Sequence, residues 1–144
     1  MKTHNTPLVQ MFLGAEGIKK AYEMTLSAKE MQIKCLSQNY KNVIGSYFDD
    51  EYWPKVLSSS INTREIILNT DEARKYAEGL DGVKNQAAFV EKNFQNESDF
   101  IVLDHAVIMI SYNEASPFAL YIEDEETVKS MKMQFELMWK VADK

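Results

Sequence analysis

The sequence predicts an α/β fold: a mixed β-sheet flanked by helices, with one long helix at the C-terminal end. Three patterns predict it. Strand and helix signals alternate through the first part of the chain. An unbroken apolar run, Phe100-Ile101-Val102-Leu103, then opens a late series of strands, and an amphipathic pattern runs from Asp124 to the end.

The elements follow in order. Leu8 to Phe12 is a short apolar strand, and Gly14 opens a helix to about Leu26 with Ile18, Ala21, Tyr22 and Leu26 on one face. Glu30 to Leu36 alternates as a strand and places Cys35 as a buried residue. Gly45 to Leu57 carries Tyr47, Phe48, Tyr52, Trp53 and Val56 in a helical or turn-rich segment. Pro54 requires either a break at Trp53 or a second helix with the proline in its first turn. Ser58-Ser59-Ser60 reads as a loop and Arg64 to Asn69 as a strand. Thr70 or Asp71 then caps a helix to about Leu80, which Gly79 and Gly82 help to close. Ala87 to Lys92 is a weaker strand.

Phe100 to Leu103 is apolar at consecutive positions, as expected of a strand covered on both faces. Asp104-His105 makes a tight turn, and Val107 to Ser111 and Phe118 to Ile122 supply two more strands. Asp124 caps the last helix, with Glu125 and Glu126 at its positive end. Its apolar stripe is Val128, Met131, Phe135, Met138 and Ala142, with Trp139 beside it. This spacing assigns the methionines to core packing.

A length of 144 residues suits one domain. We expect residues 1–7 to be a flexible arm or linker remnant and 8–144 to be a single domain. No secretory leader and no apolar run of roughly 20 residues is present, so a membrane is not expected and a reducing cytoplasm is the expected compartment. The net charge of −6 argues against broad contact with nucleic-acid phosphates. With Cys35 alone there is no internal disulfide, and His4 and His105 lack metal-ligand spacing. No metal and no cofactor is expected, and the phosphate-binding glycine motifs are absent. The aromatic set from Tyr47 to Trp53 admits two readings, the apolar side of a helix against the sheet or the lining of a pocket.

Residues 97 to 139 resemble the C-terminal part of a phospholipase-D-type half-domain. That family carries HxKxxxxD, followed by a strand ending in a GSxN-like element. Here Asp104 falls on the motif's aspartate, and Ile110-Ser111-Tyr112-Asn113 resembles the second element with its glycine replaced. The segment, ending in Phe135-Glu136-Leu137-Met138-Trp139, is more similar still to the effector domains of TrmB-type transcriptional regulators. Those domains adopt this fold without its hydrolytic chemistry. They also begin with a helix start resembling Phe12-Leu13-Gly14-Ala15-Glu16-Gly17-Ile18 and carry an aromatic segment like that from Tyr47 to Trp53.

Counting back from Asp104, the family's histidine position holds Glu97 and its lysine position holds Asp99. Two residues apart on a strand, they share a face. A like-charge contact at about 4 Å costs on the order of 4 kcal/mol at an effective dielectric near 20, so a phosphodiester would be repelled there. The pair reads either as exposed residues at the start of a strand or as polar lining of a ligand pocket. In the second reading Asp104, Ser111 and Asn113 are neighbours and Trp53 a further candidate.

The resemblance implies a non-catalytic regulatory domain that binds a small polar ligand, such as a sugar, and pairs as a homodimer. No winged helix is visible in the few residues before Gly14, so direct DNA binding by this chain alone is not expected. The chain reads as a detached regulator domain or a stand-alone relative. The alternatives are a phosphodiesterase or nuclease with an atypical active site, and a purely structural dimerisation module.

Overall fold

The computed structural model describes residues 6–144. Most of the expected arm, and His4 with it, therefore lies outside the described residues. The strands are β1 (Leu8–Leu13), β2 (Glu30–Cys35), β3 (Asn62–Leu68), β4 (Asn85–Val90), β5 (Ser98–Leu103), β6 (Val107–Ser111) and β7 (Phe118–Glu123). They form one seven-stranded mixed sheet in the order β1-β7-β6-β5-β2-β3-β4. The alternating first part of the chain supplies the parallel set β2, β3 and β4, and the late hairpins supply the antiparallel set. Strand β5 joins the two by pairing antiparallel with β2. This central place explains its consecutive apolar residues, since Asp99 through Leu103 are all buried.

The helices are α1 (Gly14–Met24), α2 (Tyr40–Ile44), α3 (Trp53–Ser58), α4 (Asp71–Glu78) and α5 (Glu125–Val141). One core cluster joins one sheet face to α1, α2 and α3, through Ile18, Tyr22, Ile44, Tyr52, Trp53, Val56, Ile101, Leu103 and Ile108. The other joins the opposite face to α5, through Ile66, Leu68, Phe100, Val102, Val107, Val128 and Phe135. Burying each such side chain contributes about 1.5–3 kcal/mol.

Two glycines make the first turn possible. Gly14 has φ +71°, and its N–H donates to the Pro117 carbonyl at 2.9 Å. A Cβ on Gly17 would meet the Phe12 carbonyl carbon at 2.6 Å, so only glycine lets α1 fold back closely on β1.

The expected caps form. Thr70 accepts from the Ala73 N–H, and Asp124 accepts from the Thr127 N–H. Helix α5 docks through its predicted stripe. It is held further by Arg64, whose guanidinium forks onto Glu136 and lies over the Phe135 and Trp139 rings. Of the two sequence readings around Pro54, the second helix is the one formed, with Pro54 in its first turn. It follows directly on a π-helical turn, Tyr47–Tyr52. Helix α2 was not expected from the sequence. Its five residues are too few to establish a helical period.

Candidate functional site

The site lies past the C-terminal ends of the parallel strands β2 and β3, the usual place for a ligand crevice in an α/β sheet. A cavity of about 280 Å³ opens there between the π-helical turn and α3 on one side and α4 on the other. Period-2 alternation brings Cys35 of β2, Glu65 and Ile67 of β3 and Asp99 of β5 to its floor. Its walls carry the rings of Tyr22, Tyr40, Phe48, Trp53 and Tyr76. Phe48 and Trp53 stack with ring centroids 5.5 Å apart and 12° between planes. The aromatic segment therefore fulfils both of its sequence readings at once. Tyr47, Tyr52 and Trp53 are buried in the core, while Phe48 and Trp53 also face the cavity.

Cys35 is on the strand expected for it but is only half-buried, because one side of it lines the cavity. Burial is the main cause that pushes its thiol well above the ordinary value. An inert thiol is the consequence.

Asp99 is 3% exposed, which corrects the reading of it as an exposed residue at the start of a strand. Its Oδ1 accepts from the Leu36 and Ser37 N–H groups at 3.1 and 3.2 Å, and its Oδ2 accepts from the Ser37 hydroxyl at 2.7 Å. Glu97, half-buried just before β5, accepts from the Gln38 and Asn39 N–H groups at 3.0 and 2.8 Å. The two carboxylates thus take the N–H groups of Leu36, Ser37, Gln38 and Asn39, four in succession. Consecutive N–H donors of this kind would otherwise suit an anion. Here the chain supplies its own. Asn39 Nδ2 adds a bond to the Tyr112 carbonyl at 2.8 Å, which ties the same segment to the end of β6.

Glu65 is different. It is 5% exposed, and its Oε2 accepts from the Tyr76 hydroxyl, which in turn accepts from the Trp53 indole N–H at 2.7 Å. Its other oxygen, Oε1, has no hydrogen bond. Burial pushes the Glu65 carboxyl up to about 7, against the lowering effect of the Tyr76 bond. Burial likewise pushes Asp99 up to about 6, partly offset by its Ser37 bonds. At the cavity's edge, Lys41 pairs with Asp49 at 3.5 Å.

The remaining sequence candidates lie elsewhere. Asp104 sits in the exposed turn between β5 and β6, where it accepts from the Lys29 N–H at 3.1 Å. Strand register puts it at the opposite end of that hairpin from Glu97, Ser111 and Asn113. Ser111 is half-buried and Asn113 exposed, and neither lines the cavity. Of the residues named from sequence, Trp53 and Asp99 meet there. Glu65, Tyr76, Tyr22 and Ser37 were missed. The available signal for Glu65 was a carboxylate at an inward-facing position of a strand covered on both faces.

NucT from Helicobacter pylori superimposes with a TM-score of 0.70 at 13% identity, over 96% of this chain and 99% of that one. The fold is phospholipase-D-like. Nuc from Salmonella typhimurium, described as a phospholipase D family member, matches with a TM-score of 0.61 at 15% identity over 95% of this chain and 97% of that one. TrmBL2, described as an archaeal chromatin protein with a novel mode of DNA binding, matches at 0.63 and 16% identity. The match to TrmBL2 takes in all of this chain but 56% of that one, so the chain spans just over half the length of that chromatin protein. No family model and no curated protein matches the sequence. The phospholipase-D-like and TrmB-type resemblance therefore rests on the fold. No helix among the described residues is long and apolar enough to cross a membrane.

Proposed function

We propose that this phospholipase-D-like domain performs no phosphodiester chemistry and instead serves a regulatory role by binding a small polar ligand in the cavity above β2 and β3. One observation carries the reading. At the motif's histidine and lysine positions stand Glu97 and Asp99, and their carboxylates are spent on the backbone N–H groups of Leu36 to Asn39. At those two positions a phosphodiester would meet neither a nucleophilic imidazole nor a cation. The competing phosphodiesterase reading has the fold match to Nuc in its favour, but it lacks those two groups.

The chain on its own is not a DNA-binding module, in keeping with a net charge of −6. A homodimer in the cytoplasm is its proposed state. β1 is an edge strand on which Val9, Met11 and Leu13 are exposed on one face, an apolar strip that a second copy would cover. A strict monomer in light scattering at about 100 μM contradicts that state.

Thermal-shift screening against sugars, amines, nucleotides and inorganic phosphate tests the ligand role. A bound class stabilises the fold by about 2.7 kcal/mol at a hundred times its dissociation constant. A shift from one class supports sensing. The absence of a shift with every class overturns it in favour of a structural module.

A further inference from the structure

The cavity is acidic, aromatic and incompletely bonded, and together these features select a ligand class. Glu65, Asp99, Asp49 and Glu72 line it against the single ammonium of Lys41, which Asp49 already pairs. A phosphate would place anionic oxygens beside these acceptors, whereas a group that carries N–H donors and a positive charge is matched to them. Asp99 is taken up by its own segment, whereas Glu65 keeps Oε1 open with no donor. The Trp53–Tyr76–Glu65 hydrogen-bond chain fixes the carboxylate from behind, so its free oxygen is held in place rather than mobile. The rings of Phe48 and Trp53 lie on one side of the cavity and that of Tyr76 on the α4 side, and aromatic faces attract a cation within about 6 Å.

We propose that the ligand is a small primary amine bound as its ammonium, with one N–H donated to Glu65 Oε1 and its apolar body against Phe48 and Trp53. This rests on the ligand-sensing reading above and names the ligand's charge. A quaternary ammonium would engage the rings but could not donate to the open oxygen. A neutral isostere could fill the space but would lack the charge.

Calorimetric titration at about pH 8 with phenethylamine, 2-phenylethanol, tetramethylammonium, glucose and inorganic phosphate tests it, read alongside NMR of the Trp53 indole N–H in the unaltered protein. The expected result is saturable phenethylamine binding that moves the Trp53 signal. Binding should be at least tenfold weaker for 2-phenylethanol, and tenfold weaker in Glu65→Gln. Equal binding of 2-phenylethanol, or no change in Glu65→Gln, overturns the cation assignment. Binding of glucose or phosphate in place of the amine overturns it too, while leaving a sensing role intact. Silence from every probe, with the Trp53 signal unmoved, overturns both together. If Glu65→Gln fails to fold, the comparison of phenethylamine with 2-phenylethanol in the unaltered protein decides.

Discussion

Asp99 and Glu65 sit in the floor of one cavity, both buried, both with carboxyls pushed upward by burial, yet their surroundings differ. Asp99 receives three hydrogen bonds from a single neighbouring segment. Glu65 receives one and keeps an oxygen free. Burial alone does not separate a structural carboxylate from a binding one. The hydrogen bonds each receives differ, and the Glu65 oxygen left without a donor belongs to a residue that lines the cavity, where water or a ligand can reach it. The half of the floor formed by β5 is closed by the chain itself, and the half formed by β3 keeps one carboxylate oxygen without a donor.

Removing each carboxylate should expose that difference. Asp99→Ala leaves the Leu36 and Ser37 N–H groups without an acceptor in a buried setting, so we expect a loss of roughly 3–5 kcal/mol in denaturant unfolding. Asp99→Asn keeps a carbonyl acceptor and should lose about 1 kcal/mol or less. A similar loss from both variants would contradict the role of Asp99 as acceptor of the Leu36 and Ser37 N–H groups. Glu65→Gln should go the other way at about pH 8, raising stability by roughly 2–3 kcal/mol, because an ionised buried carboxylate is replaced by a neutral amide that still accepts from Tyr76.

The pH dependence follows from the same pair. Both carboxyls titrate higher in the fold, at about 7 and about 6, than the ordinary values of 4.5 and 3.8. The stability each contributes is present in full below its unfolded pKa and is lost as pH rises through its folded pKa. Unfolding free energy should therefore be greater near about pH 5 than near about pH 8, and Glu65→Gln should flatten that slope. A flat profile in the unaltered protein would contradict the buried, ionisable state of Glu65. A comparably small effect is expected at Glu97. This half-buried residue bonds two N–H groups at the edge of the segment, and Glu97→Gln should lose about 1 kcal/mol.

The sequence made the sheet and α5 legible, because β5 is apolar on consecutive positions and the Val128–Phe135 stripe repeats at helical spacing. The caps Thr70 and Asp124 were legible for the same local reason. Helix α2 was not, since a segment of five residues sets no period of its own, and the π-helical turn was legible only as part of a helical or turn-rich segment, its form being fixed by packing against α1. The site was half legible. Motif spacing pointed to Asp99 and aromatic clustering to Trp53, but Glu65 and Tyr76 meet only after β3 and α4 fold together. Asp104, Ser111 and Asn113 were grouped with Glu97 by motif order. The hairpin register instead sends Asp104 to the far end of β5.

In this phospholipase-D-like fold, carboxylates bound to the chain's own backbone stand where phosphodiester chemistry would need an imidazole and a cation. Hydrolysis of bis(4-nitrophenyl) phosphate, followed for the unaltered chain and for Asp104→Ala, tests it most directly. The account predicts release no faster than in a protein-free blank, unchanged by the substitution. Turnover above the blank that disappears in Asp104→Ala would contradict it.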